Sequence, residues 1–406
     1  MQKKSRRAVA LTAAVLVGLL GACAPTGSSS APGGNSTATQ SATPPPFVVT
    51  TNVPDGAADI AVDTLVKVSA ADGGGALTQV TLTGAGTDKN GKAVTTSIDG
   101  ALGSDGAWTA TERLDPATTY TISATGTARS GRESSTTSTF TTTALTLSRQ
   151  IFVSIVNQTG STYGVAMPVI VQFDLPVTDR KAFEQRLSVT TTPAQKGSWG
   201  WVSDREVEWR PETYFQSGTK VSVKADLNGV NAGDGKYGQN SASADFSIGQ
   251  SRVTKVDLAS KQLTQFVNGQ QVMSIPVSGG KPGDETRSGT SVIMEKLPQT
   301  RMASETVGIA NNSPDGYDLQ VKYAMRITTS GEFLHAAPWN AAYLGNTNAS
   351  HGCVGMATDK AQALFGTVQV GDPVVVSGTK RPLDDGNGWT AWNDSWAQWQ
   401  AKSALA

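Results

Sequence analysis

Between residues 47 and 143 apolar and polar side chains alternate in short runs, at 65–69, 78–83, 94–98, 108–112, 120–125 and 138–142. A period of two puts every second side chain on one face, so each run reads as a half-buried β-strand. Asp55-Gly56, Asp72-Gly73, Asn90-Gly91 and Asp105-Gly106 lie between runs and suit tight hairpin turns. Strands at this spacing predict an immunoglobulin-like sandwich over 47–143. The pattern resumes over 144–250, with runs at 169–173, 187–190, 197–201, 206–209, 220–225 and 244–248. Leu114-Asp115-Pro116 leads to Thr119-Tyr120-Thr121, and Trp209-Arg210-Pro211 leads to Thr219-Lys220-Val221. This weak repeat predicts a second sandwich related to the first.

Residues 251–378 read as a third β-rich domain. Runs at 253–257, 262–267 and 271–277 form a meander with Asn268-Gly269 as a hairpin turn, and 291–295 is a further strand. The stretch 301–323 is polar and punctuated by Gly, Pro and Asn, as a lid loop beside a site would be. Phe333 and Leu334 end a buried strand, which Pro338 breaks before a loop at 346–348. Thr358 is the expected cap of a short helix at 359–365. The run 368–376, broken at Gly371-Asp372-Pro373, is expected to close the sheet. Residues 379–406 form a tail in which Trp392, Trp396 and Trp399 share one helical face, with Trp389 before them. Docking of that face on the catalytic domain is the expectation, and an exposed sugar-binding stripe the alternative. Asp204, Glu206 and Glu208 alternate and share a strand face, read as solvated; Asp384 and Asp385 are read the same way.

The composition, with 16% charged and 6% aromatic residues, favours such β-domains over helical bundles. The N-terminus is set apart. Lys3, Lys4, Arg6 and Arg7 precede an apolar run over 8–22 that is short for a membrane span. Leu20-Gly21-Ala22-Cys23 resembles a bacterial lipobox. Residues 1–22 are therefore expected to be a lipoprotein signal peptide, and Cys23 the lipidated first residue on the membrane's outer face. Plain secretion after a small-residue cleavage site is the alternative. Residues 24–46, free of charge and ending in Pro44-Pro45-Pro46, read as a tether. Without the four basic residues of the leader, 29 basic residues face 33 acidic ones. No basic patch or phosphate loop is present, which excludes nucleic-acid binding from the expected functions.

The chain holds two cysteines and two histidines, and His335, His351 and Cys353 fall in one short window. Neutral-pH nucleophilic chemistry wants a thiol with an imidazole to take its proton. With Cys23 capped by lipid, Cys353 has no disulfide partner, and an unpaired exported thiol points to reactivity. Gly352 lets backbone approach a substrate carbonyl with its N–H free, and amides there could receive an oxyanion. An inert buried thiol and a zinc site of His335, His351 and Cys353 are the alternatives.

His335, followed by Ser350-His351-Gly352-Cys353-Val354, resembles the signature of the L,D-transpeptidase (YkuD) family. Gly316-Tyr317, Ser330-Gly331 and His335-Ala336-Ala337-Pro338-Trp339 extend the likeness to its actinobacterial members. Gly355 departs from it, standing where the family most often has Asn. The resemblance implies a YkuD-type β-sandwich catalytic domain that needs no metal or cofactor. It implies Cys353 as nucleophile, His335 as general base oriented by the Ala336 carbonyl, and an oxyanion site of His351 with the Gly352 and Cys353 amides. Ser350 would brace the loop, Tyr317 and Trp339 would wall the cleft, and Ser330 and Gly355 would lie at the substrate. The implied reaction joins meso-diaminopimelate residues of peptidoglycan stem peptides through a thioester, at a site that carbapenems acylate. An L,D-carboxypeptidase and a non-catalytic wall-spanning lipoprotein are the other readings.

Overall fold

The computed structural model describes residues 47–71, 75–87, 91–308, 310–313 and 315–406. The expected signal peptide, Cys23, the expected tether and the expected turns at 72–73 and Asn90 lie outside them. Among the described residues no helix is long and apolar enough to cross a membrane.

The first sandwich pairs a five-stranded sheet, ordered Ala57–Ile60, Glu133–Thr142, Thr119–Thr127, Ala76–Thr87 and Ala93–Ile98, with a four-stranded one. Alternation buries Leu82, Trp108, Tyr120, Ile122 and Phe140 between them. The second sandwich sets Val153–Ile155, Val169–Phe173, Glu206–Pro211 and Gly197–Trp201 against Thr162–Tyr163, Ala242–Ile248, Lys220–Ala225 and Leu187–Thr192. The two domains share a local device. The Tyr120 hydroxyl accepts from the Asp115 amide at 2.8 Å, and the Tyr163 hydroxyl accepts from the Gln158 amide at 2.9 Å. A buried tyrosine finds its polar partner in a turn a few residues upstream, as sandwich corners often arrange.

The third domain is one nine-stranded sheet in the order Gly289–Val292, Pro373–Ser377, Arg252–Asp257, Gln262–Val267, Gln270–Ser278, Val354–Met356, Phe333–Ala336, Asp318–Arg326 and Glu295–Ala303. Val256 and Val374 near one end share a core with Leu334, Met325 and Val354 near the other, so the sheet folds over on itself. The helix Thr358–Thr367 seals this core with Ala361 and Leu364.

Several expectations need correction. Thr358 is inside its helix; the preceding residue is Ala357, and no side chain caps the end. The strand expected at 291–295 is split: 291–292 end Gly289–Val292, 293–294 break the chain, and Glu295 opens Glu295–Ala303. The two ends of the expected lid are strand, because Glu295–Ala303 pairs antiparallel with Asp318–Arg326, which leaves 304–317 between them. Pro373–Ser377 lies inside the sheet, hydrogen-bonded on both sides, and closes no edge.

The tail docks mainly on the second sandwich. The Arg210 guanidinium lies over the rings of Trp392, Trp396 and Trp399 at 4.8, 5.4 and 5.2 Å. The Trp392 indole donates to Ala166 O at 2.7 Å and that of Trp399 to Ser198 O at 2.9 Å. Before this, Leu383 and Asn393 bond to Ser288 and Thr290 of the catalytic sheet. The expected single helical face is two elements, since Trp392 lies in a 3-10 turn, Ala391–Asn393, and only Trp396 and Trp399 share the helix Trp396–Gln400; spacing also does not tell which domain offers the cation that the indoles meet. The acidic run is not uniformly solvated either. Asp204 is exposed, but Glu208 is 2% exposed, and burial followed by the charge of Glu206 pushes its carboxyl well above the usual range. Asp384 and Asp385 carry ion pairs with Arg287 and Lys402.

Candidate active site

The strands Phe333–Ala336 and Val354–Met356 pair in parallel, with Leu334 opposite Val354, His335 opposite Gly355 and Ala336 opposite Met356. Parallel neighbours need a crossover, supplied here by the loop 337–353, so the chain returns beside His335 just after Cys353. Leu334 and Val354 both enter the core. Alternation then turns His335 and Cys353 to the other face, as diagonal neighbours across the pair.

His335 is 6% exposed, and its Nδ1 lies 2.8 Å from Ala336 O. A carbonyl only accepts, so the ring proton sits on Nδ1 and Nε2 carries the free lone pair. Burial pulls the imidazole below its usual range, against the hydrogen bond to Ala336. Trp339, itself exposed, stacks on the ring at 5.9 Å. Cys353 is half-buried and its Sγ faces Gly331 O at 3.7 Å. Burial pushes the thiol up to about 12, and the Glu332 charge adds to this. Both shifts favour the uncharged forms, a thiol at Cys353 and a neutral imidazole at His335.

Ser350 braces the Cys353 loop. Its hydroxyl donates to Cys353 O at 2.5 Å and accepts from Gly352 N at 3.2 Å. The Gly352 N–H is thus engaged, contrary to the expectation that it stands free; an oxyanion there would displace Ser350. Gly352 has φ +123, a conformation that favours glycine. Gly355 has a different reason to be small: a Cβ would meet that of Ala337 at 2.7 Å.

His351 is held by neighbours that its motif does not disclose. Its Nε2 lies 3.2 Å from Lys281 Nζ and 3.6 Å from Asp315 Oδ1, and the Tyr317 ring is 5.3 Å away. Burial, then the nearby Cys353, raises the Tyr317 hydroxyl. Ser330 is engaged by the tail: its amide donates to Asn387 Oδ1 and its hydroxyl accepts from Asn387 Nδ2, both at 2.9 Å. The structure thus gathers His335, Ala336, Trp339, Ser350, Gly352, Cys353 and Gly355 around one strand pair, sets His351 with Tyr317, and ties Ser330 to the tail. Lys281, Asp315, Glu332 and Arg287 were missed, being single charges in polar loops that resemble many others. For the zinc alternative, no three of His, Cys, Asp and Glu group as metal ligands among the described residues.

Family models place this architecture in a known class: residues 57–231 match a bacterial Ig domain and residues 251–376 an L,D-transpeptidase catalytic domain. L,D-transpeptidase 2 of Mycobacterium tuberculosis is 36% identical over 363 residues, covering 88% of this chain and 85% of that protein. L,D-transpeptidase 5 of the same species is 34% identical over 373 residues, covering 89% and 78%. The chain belongs to the L,D-transpeptidase family. Among solved structures, an L,D-transpeptidase in complex with imipenem aligns at 35% identity and TM-score 0.49, covering 55% of this chain and 97% of that one. L,D-transpeptidase 3 from Mycobacterium tuberculosis aligns at 31% and 0.47, covering 55% and 97%.

Proposed function

We propose that the chain cross-links peptidoglycan by a cysteine acyl-transfer mechanism. The observation that carries this is the parallel pair that turns His335 and Cys353 to one face, with Nδ1 committed to Ala336 O. His335 Nε2 takes the thiol proton as Cys353 Sγ attacks the carbonyl of the third residue of a tetrapeptide stem. The C–N bond to the terminal D-Ala breaks, and the imidazolium returns the proton to the leaving amine. An amine of a meso-diaminopimelate residue on a second stem attacks the thioester. His335 then accepts its proton and passes it to the departing sulfur. His351 and the loop amides hold each oxyanion, and Tyr317 and Trp339 flank the donor. A carbapenem reaches the same sulfur because its strained lactam offers an acyl carbon there.

Incubation with a disaccharide-tetrapeptide tests this reading. Mass spectrometry should show release of D-Ala and a dimer joined through third residues, both lost in Cys353→Ala. Tripeptide without dimer would mean hydrolysis, and the carboxypeptidase would replace the transferase. Attachment to the outer face of the membrane through a lipid on Cys23 belongs to the same proposal. Its test is palmitate labelling and membrane fractionation, with Cys23→Ala expected to lose both label and membrane.

A further inference from the structure

Behind the Cys353 loop lies a buried ion pair that the mechanism does not use. Glu332 is 4% exposed and directly precedes the strand that carries His335. Its Oε1 accepts from Arg287 Nη1 at 2.9 Å and from the Arg287 amide at 3.3 Å. Arg287 Nε in turn donates to Asp384 of the tail at 2.8 Å. On its other side Glu332 forms the floor under Gly352: a Cβ there would lie 3.4 Å from Oε1 and 3.5 Å from Cγ. Among the described residues Glu332 Oε2 is buried with no hydrogen-bond partner.

Stability is a poor reason to keep such a group. A buried ion pair returns little over a well-packed apolar replacement, and an unsatisfied buried carboxylate oxygen costs further. A negative charge beside a nucleophilic sulfur also opposes thiolate formation. What the pair supplies is geometry. Arginine grips a carboxylate in a fixed orientation and here reaches a second one, so the floor under Gly352 is fixed from two directions.

Resting on the function proposed above, we propose that Glu332, fixed by Arg287 and through it by Asp384, is a positioning residue that sets the Gly352 backbone relative to Cys353. The tail thereby becomes part of the active-site scaffold. The charged groups bearing on the Cys353 sulfur are Glu332 and Arg326, with His335 and Tyr317 as its titratable neighbours.

Two readouts on the full mature chain test this. One is the pH dependence of Cys353 alkylation by iodoacetamide; the other is the rate and affinity of acylation by meropenem, with melting temperature measured alongside. Glu332→Gln keeps the size of the floor and removes its charge. Its thiol should alkylate at lower pH than wild type, while the acylation rate constant falls about tenfold with affinity nearly unchanged, as a misplaced oxyanion loop requires. Arg287→Lys keeps the charge but cannot span both carboxylates, and should fall between wild type and Glu332→Gln. Asp384→Asn, at an exposed position, should slow acylation about threefold at an unchanged melting temperature. Should Glu332→Gln fail to fold, Arg287→Lys and Asp384→Asn carry the test. Rates that fall only as the melting temperature falls, or a loss of affinity with an unchanged acylation rate constant, would overturn the proposal. So would a wild-type acylation rate in Asp384→Asn. A wild-type chain that meropenem does not acylate would instead remove the functional reading on which the proposal rests.

Discussion

His335 faces Gly355 across the parallel strand pair, and the space beyond Gly355 is taken by Ala337, whose Cβ would lie 2.7 Å from one added at 355. The chain thus trades the family's usual carboxamide for close packing beside the imidazole. Restoring the family residue should therefore harm this protein. Gly355→Asn is expected to lower the melting temperature and slow acylation, because the Ala337 backbone that follows His335 must shift. Ala337→Gly in the same chain should recover part of both. Equal behaviour of the single and double variants would show that Ala337 is not the obstacle.

A second expectation concerns pH and rate. His335 must be neutral to accept a proton, and burial holds its imidazole below the usual range. Acylation should therefore persist as pH falls through about 6.5, the ordinary imidazole value, and decline only below it. The measurement is the pH profile of the acylation rate constant, and an acid limb at or above that value would contradict it.

A third concerns stability. Asp372 is fully buried where the catalytic domain meets Gly164 of the second sandwich. Burial raises its carboxyl to about 7, against the hydrogen bond from Gln369 N and the charges of Arg252 and Lys296. Below about pH 4 the group is neutral folded and unfolded. As pH rises toward the folded value the unfolded chain ionises while the fold keeps its proton. The folded state then binds more protons, and stability falls with rising pH by an amount on the order of a few kcal/mol. Asp372→Asn should remove this slope. It should exceed wild type in denaturant midpoint at about pH 8 and lose that advantage toward about pH 4. Parallel curves for the two proteins would contradict the assignment.

A fourth concerns the tail. Trp399 is fully buried, under Arg210 and against Ser198. Trp399→Ala should cost about 3–5 kcal/mol in urea unfolding and expose the tail to protease. An unchanged midpoint would mean that the tail contributes nothing to the pairing of the two domains.

Both sandwiches and the catalytic meander were legible because period-two alternation is a local signal, and Leu82, Tyr120, Val171 and Val256 all turn inward as it requires. The cysteine and histidine window was legible because those residue types are scarce in this chain. Partners far apart in sequence were not. Glu208 reads as one of three solvated charges until the tail lies over it, and nothing local marks Arg210 as the cation the indoles meet. The hairpin of 295–303 and 318–326 was obscured by exposed, polar strand positions with too few apolar residues to show a period. Lys281 beside His351, and Arg287 beside Glu332, are pairings made by loop closure alone.

The account stands most directly on the mass of the protein after exposure to meropenem, wild type beside Cys353→Ala and His335→Ala. One adduct on wild type, mapped to Cys353, absent from the first variant and greatly slowed in the second, is the expected result. An unmodified wild-type chain, an adduct that survives in Cys353→Ala, or a His335→Ala chain acylated at the wild-type rate would contradict it.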